Sequence, residues 1–372
     1  RNCFLTTANF VSTVLMKTAL PGPPSWPSEN EAEGENSMSR LTRTGVGSVL
    51  LVTAGLYLSA GSPAAAQDRV ASSAGGGAIN GAAPIIQHVF VIAMENHDST
   101  QIYGNTTDAP YINNTLIPAY AHATNFTDPL ALSIPSEPHY VWMEAGTNAF
   151  SDITFTNDNN PSSTNSTSST AHLTTQIKNA TSGVTWMTYQ EGLNGSSGSC
   201  PIAGSGFYAP KHDPFIFFKD VSGNPPSKTN AYCITHHKPY NSFATDLAAN
   251  NIASYVFITP NLCNDMHGAS GCPNSNTVRS GDDWLKAELP RIISWATTHA
   301  GTIYITWDEG SSTGKMPFLA VGPGVKANYT GSVAYTHSSI IKSVERILGL
   351  STLSTVSTAN DFTDLYNAGF FP

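Results

Sequence analysis

Positive charge is scarce in this chain: 17 Lys and Arg stand against 26 Asp and Glu in 372 residues, a formal net charge of -9. Before residue 67, Arg1, Lys17, Arg40 and Arg43 cancel Glu29, Glu31, Glu33 and Glu35, so the acidic excess lies wholly in the remainder. That argues against nucleic acid as a partner, because binding one needs basic surface to release counterions. Charge of either sign is low at 12%, whereas a hydrophobic fraction of 40% is ample for a packed core. Also missing are an unbroken apolar run of spanning length, a C-x-x-C pair, an internal repeat and an inter-domain linker. One large domain, expected over residues 85–372, fits this length.

The N-terminal region reads as an address. From Met38, "MSRLTRTGVGSVLLVTAGLYLSAGSPAAAQ" runs from basic Arg40 and Arg43 through apolar Val46–Leu58 to Ala64-Ala65-Ala66. This is the order of a secretory signal peptide, assigned to 38–66 with cleavage after Ala66. An uncleaved anchor is the rival, but the apolar stretch is short and broken by Gly and Ser, so no stable membrane span is expected after signal removal. Residues 1–37 carry no folding pattern and are expected to be a non-native upstream extension. Residues 67–84 would be a flexible mature N-terminus. The protein is therefore expected to be secreted, extracellular or periplasmic.

Export gives the cysteines a meaning. Setting Cys3 aside leaves Cys200, Cys233, Cys263 and Cys272, which in an oxidising compartment suggest two disulfides. Four cysteines allow three pairings. Cys263–Cys272 and Cys200–Cys233 are expected because each closes a moderate loop. Zinc ligation by these thiols is the rival, without its usual spacing.

Short β-rich runs at His88–Met94, Val184–Tyr189, Ser254–Thr259, Thr302–Trp307 and Pro317–Val321 alternate with helical patterns, which predicts an α/β fold with a mostly parallel central sheet flanked by helices. One helix is predicted over Asp283–Thr298, bent at Pro290, and another over Ser338–Leu348, stopped by Gly349. The polar stretch "TNDNNPSSTNSTSST" (156–170) reads as a surface loop.

Three of the predicted strands end alike. "VFVIAMENHDSTQIYG" delivers Glu95 and Asn96; "SYVFITPNLCNDMHG" delivers Asp265 and His267; "GTIYITWDEG" delivers Asp308 and Glu309. In open α/β sheets ligands bind at the carboxyl ends of strands. One polar strand end is commonly a turn or cap, but three together point to a shared site. "SIPSEPHYVWMEAG" places Ser136 at a predicted helix start, where free N–H groups and the helix dipole favour a bound phosphate. On this stretch alone a plain N-cap is the favoured reading of Ser136, and Ser133 is a competitor without a helix after it. Lys211 and His212 precede an apolar run in "FYAPKHDPFIFF", and His337 begins the later helix. Singly, such histidines are surface or cap residues more often than ligands, and His122, His172 and His299 are left as such.

Taken in order, "HVFVIAMENHDSTQIYG", "PSEPHY", "YAPKHDPF", "TPNLCNDMHG", "WDEG" and "YTHSSIIKSVERILGL" resemble the bacterial phosphoesterase family, over roughly residues 85–350. That family includes secreted acid phosphatases and phospholipases C and is similar in fold to the alkaline phosphatase superfamily. The resemblance implies Ser136 as nucleophile and His212 as a phosphate contact or acid. It implies Asn96, His139 and Lys211 as substrate contacts, and Glu95, Asp265, His267, Asp308, Glu309 and His337 around a divalent metal ion. Asp308-Glu309 stands where alkaline phosphatases carry Asp-His, which removes a nitrogen ligand and weakens the case for two zincs. His139 stands where many relatives have Asn. The short "MENHDSTQIYG" looks more like the compact acid-phosphatase branch.

The function implied is a secreted phosphoesterase that hydrolyses phosphate monoesters through a phosphoserine, with metal assistance. Its substrate would be a phosphorylated small molecule or a phospholipid. A phospholipase C cleaving phospholipid diesters is the alternative, and a catalytically inactive secreted binding protein the more distant one.

Overall fold

The computed structural model describes residues 86–193 and 198–372. The upstream stretch, the signal peptide and the mature N-terminus at 67–84 lie outside them.

The described chain is organised by one eight-stranded sheet: β1 (His88–Met94), β2 (Ala121–Thr127), β3 (Trp186–Gln190), β4 (His237–Pro239), β5 (Tyr255–Thr259), β6 (Gly301–Trp307), β7 (Lys315–Val321) and β8 (Tyr329–Gly331), in the order β4-β3-β5-β1-β6-β7-β2-β8. From β4 to β6 the pairing is parallel; β7 runs antiparallel to both β6 and β2, and β8 returns parallel to β2. The expected mostly parallel sheet flanked by helices is therefore what forms, made mixed by the antiparallel β7. β1, β5 and β6 are buried on both faces, as continuous apolar runs in a parallel sheet must be. The two edges are three-residue strands, too short to template pairing with another chain.

β2 escapes a pattern search. Its sequence AHATNFT is polar, and a bulge between Ala123 and Phe126 breaks the alternation that buries Ala121, Ala123 and Phe126. The helix expected from Asp283 begins at Thr277, capped by Asn276, whose side chain accepts from Arg279 N. Its second turn holds Gly281, a poor helix former, for a packing reason: a Cβ there would come within 2.3 Å of Met266 Cγ and 2.9 Å of Met94 Cε. The glycine lets this helix lie directly against two segments that carry site residues. The last long helix, His337–Leu348, ends at left-handed Gly349 as expected.

Both disulfides form in the expected pairing, Cys200–Cys233 and Cys263–Cys272. Among the described residues no helix is long and apolar enough to cross a membrane. The polar stretch 156–170 departs from a plain surface loop: Asn165, Ser166 and Thr167 are buried, and the segment folds back on the helix that begins at Ser136.

Candidate active site

The three strand ends converge because β5, β1 and β6 are neighbours. Met94 pairs with Trp307 in the ladder, so Glu95 and Asp308 emerge side by side. Two main-chain bonds continue the ladder into the site: Glu95 N donates to Asp265 O at 2.7 Å, and Asp308 N donates to Met94 O at 3.0 Å. Asn96 takes a left-handed φ of 47°, which Asn tolerates better than most residues. Its main-chain N–H donates to Asp308 Oδ1 at 3.1 Å. Oriented to satisfy its neighbours, its side-chain amide donates to Glu95 Oε2 at 2.7 Å and Asp308 Oδ1 at 3.0 Å. Asn96 thereby ties two carboxylates together.

The rest of that polar run has other duties. His97 Nδ1 lies 2.8 Å from Glu95 O. Asp98 accepts from Ser311, Ser312 and Thr313 and so clamps the loop after Glu309. Gly310 is required there, since a Cβ would sit 2.6 Å from Asp98 Oδ1.

Ser136 is the first residue of the helix Ser136–Ala145, which closes at left-handed Gly146. It is almost fully buried, and its Oγ lies 3.3 Å from Glu95 Oε2 and 3.2 Å from Glu309 Oε1, donating to one or the other. One turn along, Tyr140 donates to Glu95 Oε1 and stacks on His212 with ring centroids 5.1 Å apart. Tyr140 is a site residue that the sequence did not announce. Only its position four residues after Ser136, on the same helix face, could have pointed to it.

Glu95, His212 and Asp265 form a fully buried triplet whose donor atoms lie within 4.8 Å of one another. His212 Nε2 is 3.2 Å from Glu95 Oε1 and Nδ1 is 3.5 Å from Asp265 Oδ2. Neither contact is aligned as a hydrogen bond, and His212 Nε2 and Asp265 Oδ2 have no partner among the described residues. Burial, with Lys211 and His267 adding to it, pushes the imidazole well below its ordinary pKa and keeps it neutral. Burial also raises Glu95, Asp265 and Asp308 well above the usual carboxylate range, and their mutual repulsion adds to the effect. Buried carboxylate oxygens with a neutral imidazole, two of the atoms unpartnered, are a donor set that fits a divalent cation.

The remaining expected residues lie as follows. Glu309 meets Ser136 as described, and its pKa is raised, chiefly by burial. His139 is buried on the Ser136 helix, with Nδ1 3.1 Å from Asp128 Oδ1 and Nε2 3.9 Å from Glu309 Oε2. Burial opposes its charge, but Asp128, Asp308 and Glu309 together raise its pKa to about 9, so it is cationic at neutral pH. Lys211 Nζ is held by Asp158 Oδ2 at 2.7 Å. His267 stands apart from the triplet: it is exposed, with Nδ1 on Gly268 O, although its ring lies 5.8 Å from that of His212. His337 is buried, with Nε2 2.9 Å from Trp307 O and its ring 6.5 Å from His139. A cavity of about 470 Å³ elsewhere, lined by Thr175, Gln176 and Leu350 among others, shares none of these residues.

The model of the phosphoesterase family matches residues 114–351, well over half of the chain, and the chain belongs to that family. It is 28% identical over 287 residues to a phosphatidylinositol-3-phosphatase of Mycobacterium tuberculosis, covering 77% of this chain and 84% of that one. It is likewise 28% identical over 237 residues to a phosphate-repressible acid phosphatase of Penicillium chrysogenum, covering 61% of this chain and 52% of that one. This chain thus spans about half the length of that fungal relative. A protein of the alkaline phosphatase superfamily from Vibrio parahaemolyticus superposes with a TM-score of 0.48 at 9% identity, over 74% of this chain and 69% of that one. The chain is a hydrolase acting on phosphoric ester bonds, as the resemblance implied.

Proposed function

We propose that this protein is a secreted phosphatase that removes phosphate from monoesters through a phosphoserine on Ser136. The observation that carries the proposal is the placement of Ser136 Oγ at a helix start, within 3.3 Å of Glu95 and 3.2 Å of Glu309. Relatives named as phosphatases favour a monoester over the diester of a phospholipase C. Two disulfides accord with an oxidising compartment.

In this scheme Glu309 or Glu95 accepts the Ser136 hydroxyl proton as Oγ attacks phosphorus and the ester P–O bond breaks. Water then cleaves the phosphoserine, so one difficult displacement becomes two easier ones. Lys211 and the cationic His139 supply positive charge towards the phosphoryl oxygens. Glu95, Asp265 and His212 would hold a divalent cation, with Asp308 joined to them through Asn96, and a bound cation would offset their charge and polarise a phosphoryl oxygen. His212, being neutral, suits a ligand better than an acid. His267 and His337 fall outside this inner set.

The test is hydrolysis of a phosphomonoester and of phosphatidylcholine by the purified chain, with metal analysis and chelation alongside. Ser136→Ala should reduce kcat by at least about a thousandfold with little change in Tm, while Ser133→Ala keeps most activity. Near-normal turnover by Ser136→Ala would remove the nucleophile assignment. Full activity without stoichiometric metal would remove the cation and leave Ser136 in place.

A further inference from the structure

We propose that Asp158 is an internal stand-in for the substrate's phosphate, holding Lys211 and the main-chain N–H beside Ser136 until the phosphate replaces it, a step that rests on the phosphatase reading above. Asp158 uses both carboxylate oxygens. Oδ2 accepts from Lys211 Nζ at 2.7 Å, and Oδ1 accepts from Glu137 N at 3.0 Å. Glu137 is the second residue of a ten-residue helix and the immediate neighbour of the nucleophile. A main-chain N–H at a helix start together with a lysine ammonium is the donor pair that recognises a phosphoryl oxygen. Here an internal anion already occupies that pair.

The exchange is inexpensive. The side chains of Lys211 and Asp158 are 21% and 33% exposed, so solvent screens their attraction. Such pairs contribute only about 0.2–1 kcal/mol. The loop that carries Asp158 is fastened separately, by Asn165 Nδ2 donating to Glu137 Oε1 at 3.0 Å and to Asn159 O at 2.9 Å. Releasing Lys211 therefore needs one side chain to rotate while the loop stays folded. Burial opposes the charge of Lys211, but Asp158 together with the field of Glu95 and Asp308 outweighs it and raises its pKa. The opposing possibility is that Asp158 is a clamp that holds Lys211 in its working position. The two differ in sign.

Asp158→Asn keeps an acceptor for Glu137 N and removes the charge. The measurement is inhibition by inorganic phosphate, with KM and kcat for a phosphomonoester, in the wild type, Asp158→Asn, Lys211→Gln and the double variant. A stand-in predicts that Asp158→Asn tightens phosphate by about 1.5- to 5-fold and lowers KM in proportion, and that the gain disappears in the Lys211→Gln background. Weaker phosphate or a raised KM would make Asp158 a clamp and overturn the inference. Tightening that persists without Lys211 would overturn it too, as charge acting through space. Asp158→Ser gives the same reading if the Asn variant does not fold. Calorimetric titration of inorganic phosphate into Ser136→Ala protein, with and without Asp158→Asn, reads this effect in the absence of turnover. An inactive wild type would therefore defeat the phosphatase reading and leave the Asp158 question answered.

Discussion

His172 and His212 are each buried between two acidic side chains, and they behave in opposite ways. His172 lies 2.8 Å from Glu144 Oε1 through Nδ1 and 3.0 Å from Asp220 Oδ1 through Nε2, and stacks on Phe218 at 4.0 Å. Glu144 Oε1 also accepts from Thr174 N and Oγ1, and Thr175 Oγ1 donates to Asp220, leaving only Glu144 Oε2 over. Burial opposes the charge of His172, but Asp220 and Glu144 outweigh it and raise its pKa. His212 sits between Glu95 and Asp265 without an aligned bond to either, and its pKa is driven down. The first cluster is satisfied within the protein except at Glu144 Oε2 and ties together three segments. The second leaves His212 Nε2 and Asp265 Oδ2 gathered and unpaired, as a site awaiting another ion would. Residue types are the same in both and both imidazoles are buried; alignment of the hydrogen bonds is what separates the two.

The largest effect that tests this contrast is on stability. His172→Asn should cost about 3 kcal/mol by stranding the buried Glu144 and the partly exposed Asp220, while the folded fraction keeps its activity. The gap has a defined pH window. A raised histidine pKa gives stability that is complete below the ordinary 6.5 and lost as pH rises through the folded value. Asp220, whose lowered pKa reflects His172 and Thr175 prevailing over burial, gives stability present above 3.8 and lost as pH falls through its depressed value. Denaturant unfolding of wild type and variant should therefore differ most between about pH 4 and 6.5 and converge above that range. A pH-independent gap, or loss of kcat in folded variant, would erase the distinction between the clusters.

Glu95→Gln should do the reverse. Activity should fall about a hundred- to a thousandfold, the usual loss when a preorganised electrostatic group is removed. The chelated variant should nevertheless melt no lower than the chelated wild type at neutral pH. Raised carboxyl pKa values mean that the folded state loses stability as pH rises above the ordinary range, and Gln removes one such group. A variant clearly less stable than chelated wild type would show that this cluster, too, is structural.

How much of this could be read in the sequence follows from the range of the interactions. The strands that position Glu95, Asp265 and Asp308 are local apolar runs, and their polar ends sit beside them in the chain, so both were legible. β2 was not, because its few apolar residues are interrupted by a bulge. His172 does stand at a helix N-cap, but its burial is not legible in the sequence, because its partners Glu144 and Asp220 lie 28 and 48 residues away. Asp158 was lost in a polar stretch whose composition says loop and whose fold places one carboxylate 53 residues along the chain from its lysine. Tyr140 sat inside a recognised motif without a recognised duty.

The smallest expected effect concerns the disulfides, which divide along the same line. Cys263 and Cys272 bracket Asp265 and His267 and are 9 residues apart, whereas Cys200 and Cys233 are 33 apart and enclose Lys211 and His212 within a much longer loop. Loop-closure entropy assigns the shorter bridge about 2.5 kcal/mol and the longer one more. The loop before Asp265 has a second fastening independent of sulfur: Glu191 accepts from Asn261 N and from Asn264 Nδ2 at 2.9–3.0 Å. Replacing Cys263 and Cys272 together by Ser should therefore lower Tm and reduce kcat/KM only a fewfold, because Glu191 still holds the strand exit. Adding Glu191→Gln should deepen the activity loss beyond the product of the separate effects, since the two fastenings share one loop. Cys200→Ser with Cys233→Ser should lower Tm further and reduce kcat/KM of folded protein less, because Lys211 and His212 lie far along that loop from either cysteine and are held by Asp158 and Tyr140. Equal activity losses from the two bridge deletions would show that both halves of the molecule position the site, and the division drawn from the two histidines would fail at its edge.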